Sequence, residues 1–172
     1  MSPEIRISQR RFPLLTVFGL GHLPASGTWG SIPPVLVAGA AIALGITPQG
    51  SPILYHLILV VMLVLFSGAC VVQGDLSEIR FGKKDPKQVV ADEVAGQSIA
   101  LMALPIGPET GPWTVVALLL AAFFAFRAFD IAKFWPMSAL QHIRGGWGIL
   151  LDDLVAGVLA LATVLIAAAV LM

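Results

Sequence analysis

The chain has 172 residues, no net formal charge, 58% hydrophobic residues and 12% charged residues. That is about half the roughly 25% charge of a soluble domain, too little to cover a folded surface of this size in water, and the composition is too apolar for intrinsic disorder. Zero net charge leaves no broad basic face for nucleic acid, and the single cysteine, Cys70, permits neither an internal disulfide nor a cysteine-based zinc cluster.

At the N-terminus, Arg6, Arg10 and Arg11 precede a short apolar run over 12–20 that Pro13 interrupts. This segment reads as mature sequence, not as a cleaved signal. A first helical segment is predicted over 32–46. It contains the small-residue run Ala38-Gly39-Ala40-Ala41, which permits close packing within the chain or with a second copy, so a homo-oligomer stays open. Residues 53–72 form an uncharged run of 20 residues, about 30 Å as a helix and as thick as a hydrocarbon core. Shorter runs follow over 94–105 and 113–126 and read as helices that cross or partly enter the membrane within a bundle. Residues 154–172 form a second long uncharged run. The expected architecture is an all-α, polytopic membrane helical bundle. It has about five helical segments in one domain over 1–172, with cytoplasmic glycine-rich loops.

Basic residues set the orientation. Arg6, Arg10 and Arg11 precede the first segment, Arg80, Lys83, Lys84 and Lys87 follow the second, and Arg144 precedes the last. The alternate loops, 47–52 and 106–112, contain no Lys or Arg. An N-terminus inside the cell therefore makes every basic loop cytoplasmic.

The charges near apolar segments sort to that same face. Asp92 and Glu93 open the third segment, Arg127, Asp130 and Lys133 close the fourth, and Asp152 and Asp153 open the fifth. Carboxylates near hydrocarbon are costly, and several together repel one another unless cations hold them ionised. Arg127 and Lys133 supply two positive charges against five acids, and excess hard oxygen ligands suit Mg²⁺ with a phosphate-bearing substrate. Helix capping is the competing explanation. It covers the acids at helix starts but not Asp130, near a helix end where the dipole disfavours an anion. Arg127, Asp130 and Lys133 recur every three residues and so share one helix face. The strings Asp92-Glu93-Val94-Ala95-Gly96 and Asp153-Leu154-Val155-Ala156-Gly157 are alike, each with a glycine one turn beyond an acid where another helix can approach closely.

Two glycine-rich stretches, FGLGHLPASGTWGS over 18–31 and RGGWG over 144–148, fall on the same face. Such loops can turn backbone N–H groups onto a phosphate, although no lysine follows Gly30 as a P-loop requires. Cys70 lacks the arginine of a cysteine phosphatase loop. No aspartyl-nucleophile string is present, and His22, His56 and His142 lack the context of a histidine phosphatase.

Four blocks, FGLGHLPASGTWGS over 18–31, DPKQVVADEVAG over 85–96, FRAFDIAKFWP over 126–136 and RGGWGILLDDLVAG over 144–157, make the chain resemble the phosphatidylglycerophosphatase A family. It departs from that family's usual residues at Ser26, Phe134 and Arg144. The resemblance implies Mg²⁺-dependent hydrolysis of the terminal phosphomonoester of phosphatidylglycerophosphate at the bacterial cytoplasmic membrane, with the site facing the cytoplasm. On that basis Asp92, Glu93, Asp130, Asp152 and Asp153 are the expected catalytic acids, with Glu93, Asp130 and Asp153 as metal ligands. Thr28, Ser31, Arg127, Lys133, Gly145 and Gly146 are the expected phosphate-binding residues. A transporter or proton relay using the same acids and bases is the alternative. It expects charges near mid-bilayer and a path to both faces, whereas here they gather at one end.

Overall fold

The computed structural model describes residues 12–132, 143 and 145–171, which are helical and contain no strand. Among the described residues a short 3-10 helix, Val17–His22, leads into five α-helices: α1 (Ser26–Ala43), α2 (Pro52–Phe81), α3 (Ala91–Ala100), α4 (Pro112–Ala132) and α5 (Gly146–Leu171). Three of them, α2, α4 and α5, are long and apolar enough to cross a membrane. Their outer faces carry exposed apolar side chains such as Leu57, Val61 and Val64 on α2, Leu120 and Phe124 on α4, and Val158 and Ile166 on α5. An apolar exterior over a partly polar interior is the arrangement expected of helices solvated by lipid.

Helix boundaries differ from the apolar runs where polar residues continue a helix. Pro52 starts α2 at a position that needs no N–H donor, and Gly82, at φ 64°, ends it in the left-handed region. The helix therefore runs nine residues past the apolar stretch. α1 starts at Ser26, earlier than predicted, and contains Pro33 and Pro34, which leave the carbonyls of Trp29 and Gly30 without their intrahelical N–H donors. The run Ala38-Gly39-Ala40-Ala41 packs inside the chain: Ala38 and Ala41 are core residues, and Gly39 faces Leu119 of α4.

α3 organises the bundle. At ten residues, about 15 Å, it is too short to span a bilayer. It packs against α1, α2, α4 and α5, and every residue except Glu93 and Ile99 is buried. The predicted helix over 94–105 ends at Ala100, and Pro105 has no N–H to offer the Leu101 carbonyl. The Tyr55 hydroxyl donates to the Leu101 carbonyl at 3.1 Å, and the Gln49 N–H donates to the Ile106 carbonyl at 3.1 Å. Non-helical backbone inside a membrane bundle is tolerated when protein groups satisfy it in this way.

Two apolar clusters make up most of the buried core. One joins Phe12, Leu15 and Val17 to Phe66 and Cys70 of α2, Val94 of α3 and Leu150 of α5. The other, at the opposite end, joins Tyr55, Leu59, Leu101, Leu104, Leu118 and Val164. The Val90 N–H donates to the Leu15 carbonyl at 2.8 Å, tying the N-terminal turn to the start of α3.

Candidate active site: a carboxylate cluster beneath the first turn of α1

Three helices supply the acids. Asp92 and Glu93 stand in the first turn of α3, Asp130 near the described end of α4, and Asp152 and Asp153 in the second turn of α5. Because α5 begins at Gly146, its acids do not cap it. The helix dipole acts within about one turn of the end, so it does not account for their burial.

Asp92, Glu93 and Asp153 each bring a carboxylate oxygen within 4.8 Å of the other two, and Asp92 and Asp153 are buried. Asp130 instead forms an ion pair with Arg127 one turn earlier on α4. Asp152 is buried beside Asp153. Burial, followed by the adjacent Glu93, holds the Asp92 carboxyl well above the usual carboxylate range. Burial, with added repulsion from Asp153 and Asp130, pushes Glu93 up to about 8. Both shifts arise because buried negative charge is not compensated locally. Asp92 Oδ1, Glu93 Oε2 and Arg127 Nε have no hydrogen-bond partner. Clustered carboxylate oxygens with unmet lone pairs fit a hard divalent cation, which takes oxygen ligands and relieves the repulsion.

Gly27 closes the site from above. A Cβ there would lie 2.6 Å from Glu93 Oε1 and 2.7 Å from Arg127 Nη1. The first turn of α1 therefore rests on the carboxylate of α3 and the guanidinium of α4. Gly30 has a comparable role beside Val90 and Glu93 Cβ. Thr28 is half-buried in this turn. Ser31 is fully buried, and its hydroxyl donates to the Gly27 carbonyl at 2.8 Å, bracing the turn from within.

The crossing of α3 and α5 is made by the two similar strings. A side chain on Gly96 would strike the Asp153 carbonyl, and one on Gly157 would strike the Gly96 carbonyl. This contact sets Asp153 beside Asp92 and Glu93. Gly145, at φ 73°, lies against the Asp75 carboxylate of α2, and Gly146 lies against the Cys70 carbonyl. These two glycines seat the start of α5 on α2. Lys133, His142 and Arg144 lie outside the described residues.

The sequence pattern did not single out Gly27, Asp75 or Gln97. Gly27 was one of several glycines in its block, and Asp75 lies just beyond the apolar run 53–72. Gln97 was a lone amide inside an apolar run, and its spacing of four from Glu93 was the available signal.

A family model described as Phosphatidylglycerophosphatase A matches residues 14–168. The chain is 33% identical over 153 residues to a Bacteroides thetaiotaomicron protein provisionally named a phosphatidylinositol-3-phosphatase, covering 88% of this chain and 89% of that protein. It is 33% identical over 153 residues to the Haemophilus influenzae phosphatidylglycerophosphatase A, covering 86% of this chain and 82% of that one. Against the Escherichia coli phosphatidylglycerophosphatase A it is 39% identical over 103 residues, 59% of this chain and 55% of that one. No solved structure matches the chain.

Proposed function

The chain belongs to the phosphatidylglycerophosphatase A family, and from that premise we propose that it hydrolyses phosphatidylglycerophosphate to phosphatidylglycerol and phosphate, with Mg²⁺ at the carboxylate cluster. The observation that carries this reading is the convergence of Asp92, Glu93 and Asp153 within 4.8 Å, below a glycine turn shared with Arg127.

In this reading Asp92, Glu93 and Asp153 hold the cation, and Asp130 serves by orienting Arg127. Magnesium there supplies positive charge and Lewis acidity toward the phosphoryl group. The Arg127 guanidinium holds non-bridging phosphate oxygens and offsets charge as it redistributes in transfer. Thr28 and the backbone at the start of α1 orient the phosphate, and Lys133 remains a candidate second cation for it. Asp152, next to Asp153 and outside the three carboxylates assigned to the cation, accepts a proton from the attacking water. The new P–O bond forms as the bond to the glycerol oxygen breaks, and the proton taken from the water passes on to that oxygen, which leaves as the phosphatidylglycerol hydroxyl. Gly145 and Gly146 act by seating α5, and so Asp153, against α2.

The site is proposed to face the cytoplasm of the bacterial inner membrane. Arg80 in the last turn of α2 and Lys83, Lys84 and Lys87 after it are basic, whereas 47–52 and 106–112 carry no Lys or Arg. Acyl chains remain in the bilayer against the apolar outer faces.

The test is phosphate release by purified full-length protein from phosphatidylglycerophosphate, with Mg²⁺ and with EDTA, beside Asp153→Asn. Mg²⁺-dependent release that the variant loses is the expected result. A parallel assay with phosphatidylinositol 3-phosphate addresses the name of the Bacteroides relative: release from that lipid alone would reassign the substrate. No release from folded protein with any metal would overturn the phosphatase reading and favour transport.

A further inference from the structure

Gln97 lies one turn deeper than Glu93 on α3 and is fully buried, yet neither its side-chain oxygen nor its side-chain nitrogen has a hydrogen-bond partner. Buried polar groups are nearly always paired, and a primary amide offers two donors and an acceptor with two lone pairs. An apolar side chain of similar size would fill this position without leaving either end unmet. Residues four apart share a helix face with Cβ atoms about 5–6 Å apart, so Gln97 and Glu93 are neighbours. Asp92 Oδ1, Glu93 Oε2 and Arg127 Nε are unmet in the same region. The unsatisfied amide therefore lies under a cluster whose own oxygens await a ligand.

We propose that Gln97 is a positioning residue of the cation site, its side-chain oxygen holding a water of the cation's shell beneath Glu93. Magnesium in proteins usually keeps several waters, and the groups that orient them tune affinity without touching the metal. This assignment rests on the cation reading above but not on the identity of the lipid substrate.

The experiment measures Mn²⁺ binding to detergent-solubilised full-length protein by electron paramagnetic resonance, with Mn²⁺ standing in for another oxygen-seeking ion. Asp153→Asn defines the site-specific signal, and thermal melts in EDTA report folding. Gln97→Leu is expected to weaken Mn²⁺ binding by about 10–100-fold while melting in EDTA at or above the wild-type temperature, because two unmet groups are gone. Gln97→Glu, which keeps an oxygen, is expected to bind at least as tightly as wild type. If the leucine variant does not fold, Gln97→Met serves in its place. Wild-type Mn²⁺ affinity in the folded apolar variant overturns the proposal, as does weakened binding that Gln97→Glu fails to restore. Absence of an Asp153-dependent Mn²⁺ signal in the wild type overturns it together with the cation reading. Normal Mn²⁺ behaviour without lipid phosphatase activity leaves Gln97 in place and removes only the substrate.

Discussion

Gly27 and Glu93 are so close that a methyl group on the glycine would lie 2.6 Å from Glu93 Oε1. The next nearest atoms are the terminal nitrogens of Arg127, so the three nearest obstacles are all ends of long side chains. Gly27→Ala is therefore expected to leave the fold nearly intact while displacing two groups of the proposed phosphatase site. Misplacement of about 1 Å can cost about 100-fold in rate, so phosphate release should fall at least about tenfold on that scale. The thermal midpoint should move by only a few degrees, about what 1 kcal/mol produces. Full activity in the folded variant would show that this contact does not shape the site.

Gly96 and Gly157 face a different obstacle. A side chain on either would meet backbone carbonyls, Asp153 for Gly96 and Gly96 for Gly157, which cannot rotate away. Gly157→Ala is expected to destabilise by about 1–3 kcal/mol, as overpacking does, with activity lost alongside stability. A melting midpoint equal to wild type would contradict the close crossing of α3 and α5.

Without a cation, burial first and neighbouring acids second favour protonated Asp92 and Glu93, Glu93 moving from 4.5 to about 8. The folded chain then binds protons that the unfolded chain has released. Stability from these groups is fully present below the ordinary carboxylate range. The Glu93 share declines as pH rises from about 4.5 towards about 8, and the Asp92 share is likewise lost only well above the ordinary carboxylate range. A divalent cation competes with the same protons, so Mg²⁺ should raise the melting midpoint more at the alkaline end. Melts in EDTA and in Mg²⁺ across this interval check both slopes. An Mg²⁺ effect that is flat with pH would count against cation binding at these acids.

Arg127 pairs with Asp130 while presenting its guanidinium to Gly27 and Glu93. Arg127→Lys retains the charge but not the planar fork that can hold two oxygens at once. Its kcat is expected to fall by at least about tenfold, in line with the loss of an electrostatic donor in a catalytic site. A lysine variant with wild-type kcat would remove the fork from the mechanism.

Tyr55 supplies a control far from the acids. Its hydroxyl meets the Leu101 carbonyl where α3 gives way to irregular backbone. Tyr55→Phe should cost about 1 kcal/mol of stability with kcat unchanged. A large loss of kcat at full stability would mean that the far end of the bundle communicates with the cluster.

The gathering of acids at one end was legible because charges are sparse in this chain, and each of Asp92, Glu93, Asp130, Asp152 and Asp153 demanded an explanation. The repeated acid-to-glycine strings were legible as close-approach sites, and Gly96 and Gly157 meet there. Pairing was not legible. Nothing local in sequence says that Asp92 joins Glu93 and Asp153 while Asp130 turns to Arg127, because rotation about three separate helices decides it. Glycine patterns were ambiguous for the same reason. Gly145 and Gly146 have the composition of an anion loop, but they lie against Asp75 and Cys70 of α2, and helix seating and phosphate cradling use the same residue. The partner of the Leu101 carbonyl just past α3 is Tyr55, 46 positions away, which no local periodicity contains.

Asp153 arrives on α5, held in register by Gly157 under Gly96. A nascent chain that has inserted only its first four helices holds Asp92 and Glu93 without the third member of their cluster and without the wall that shields them. Because synthesis proceeds from the N-terminus, such an intermediate has acids facing lipid at a cost that only α5 relieves. Insertion of α5 and assembly of the cluster are thus one event, and a chain truncated before α5 should be a substrate for membrane quality control, not a slow enzyme.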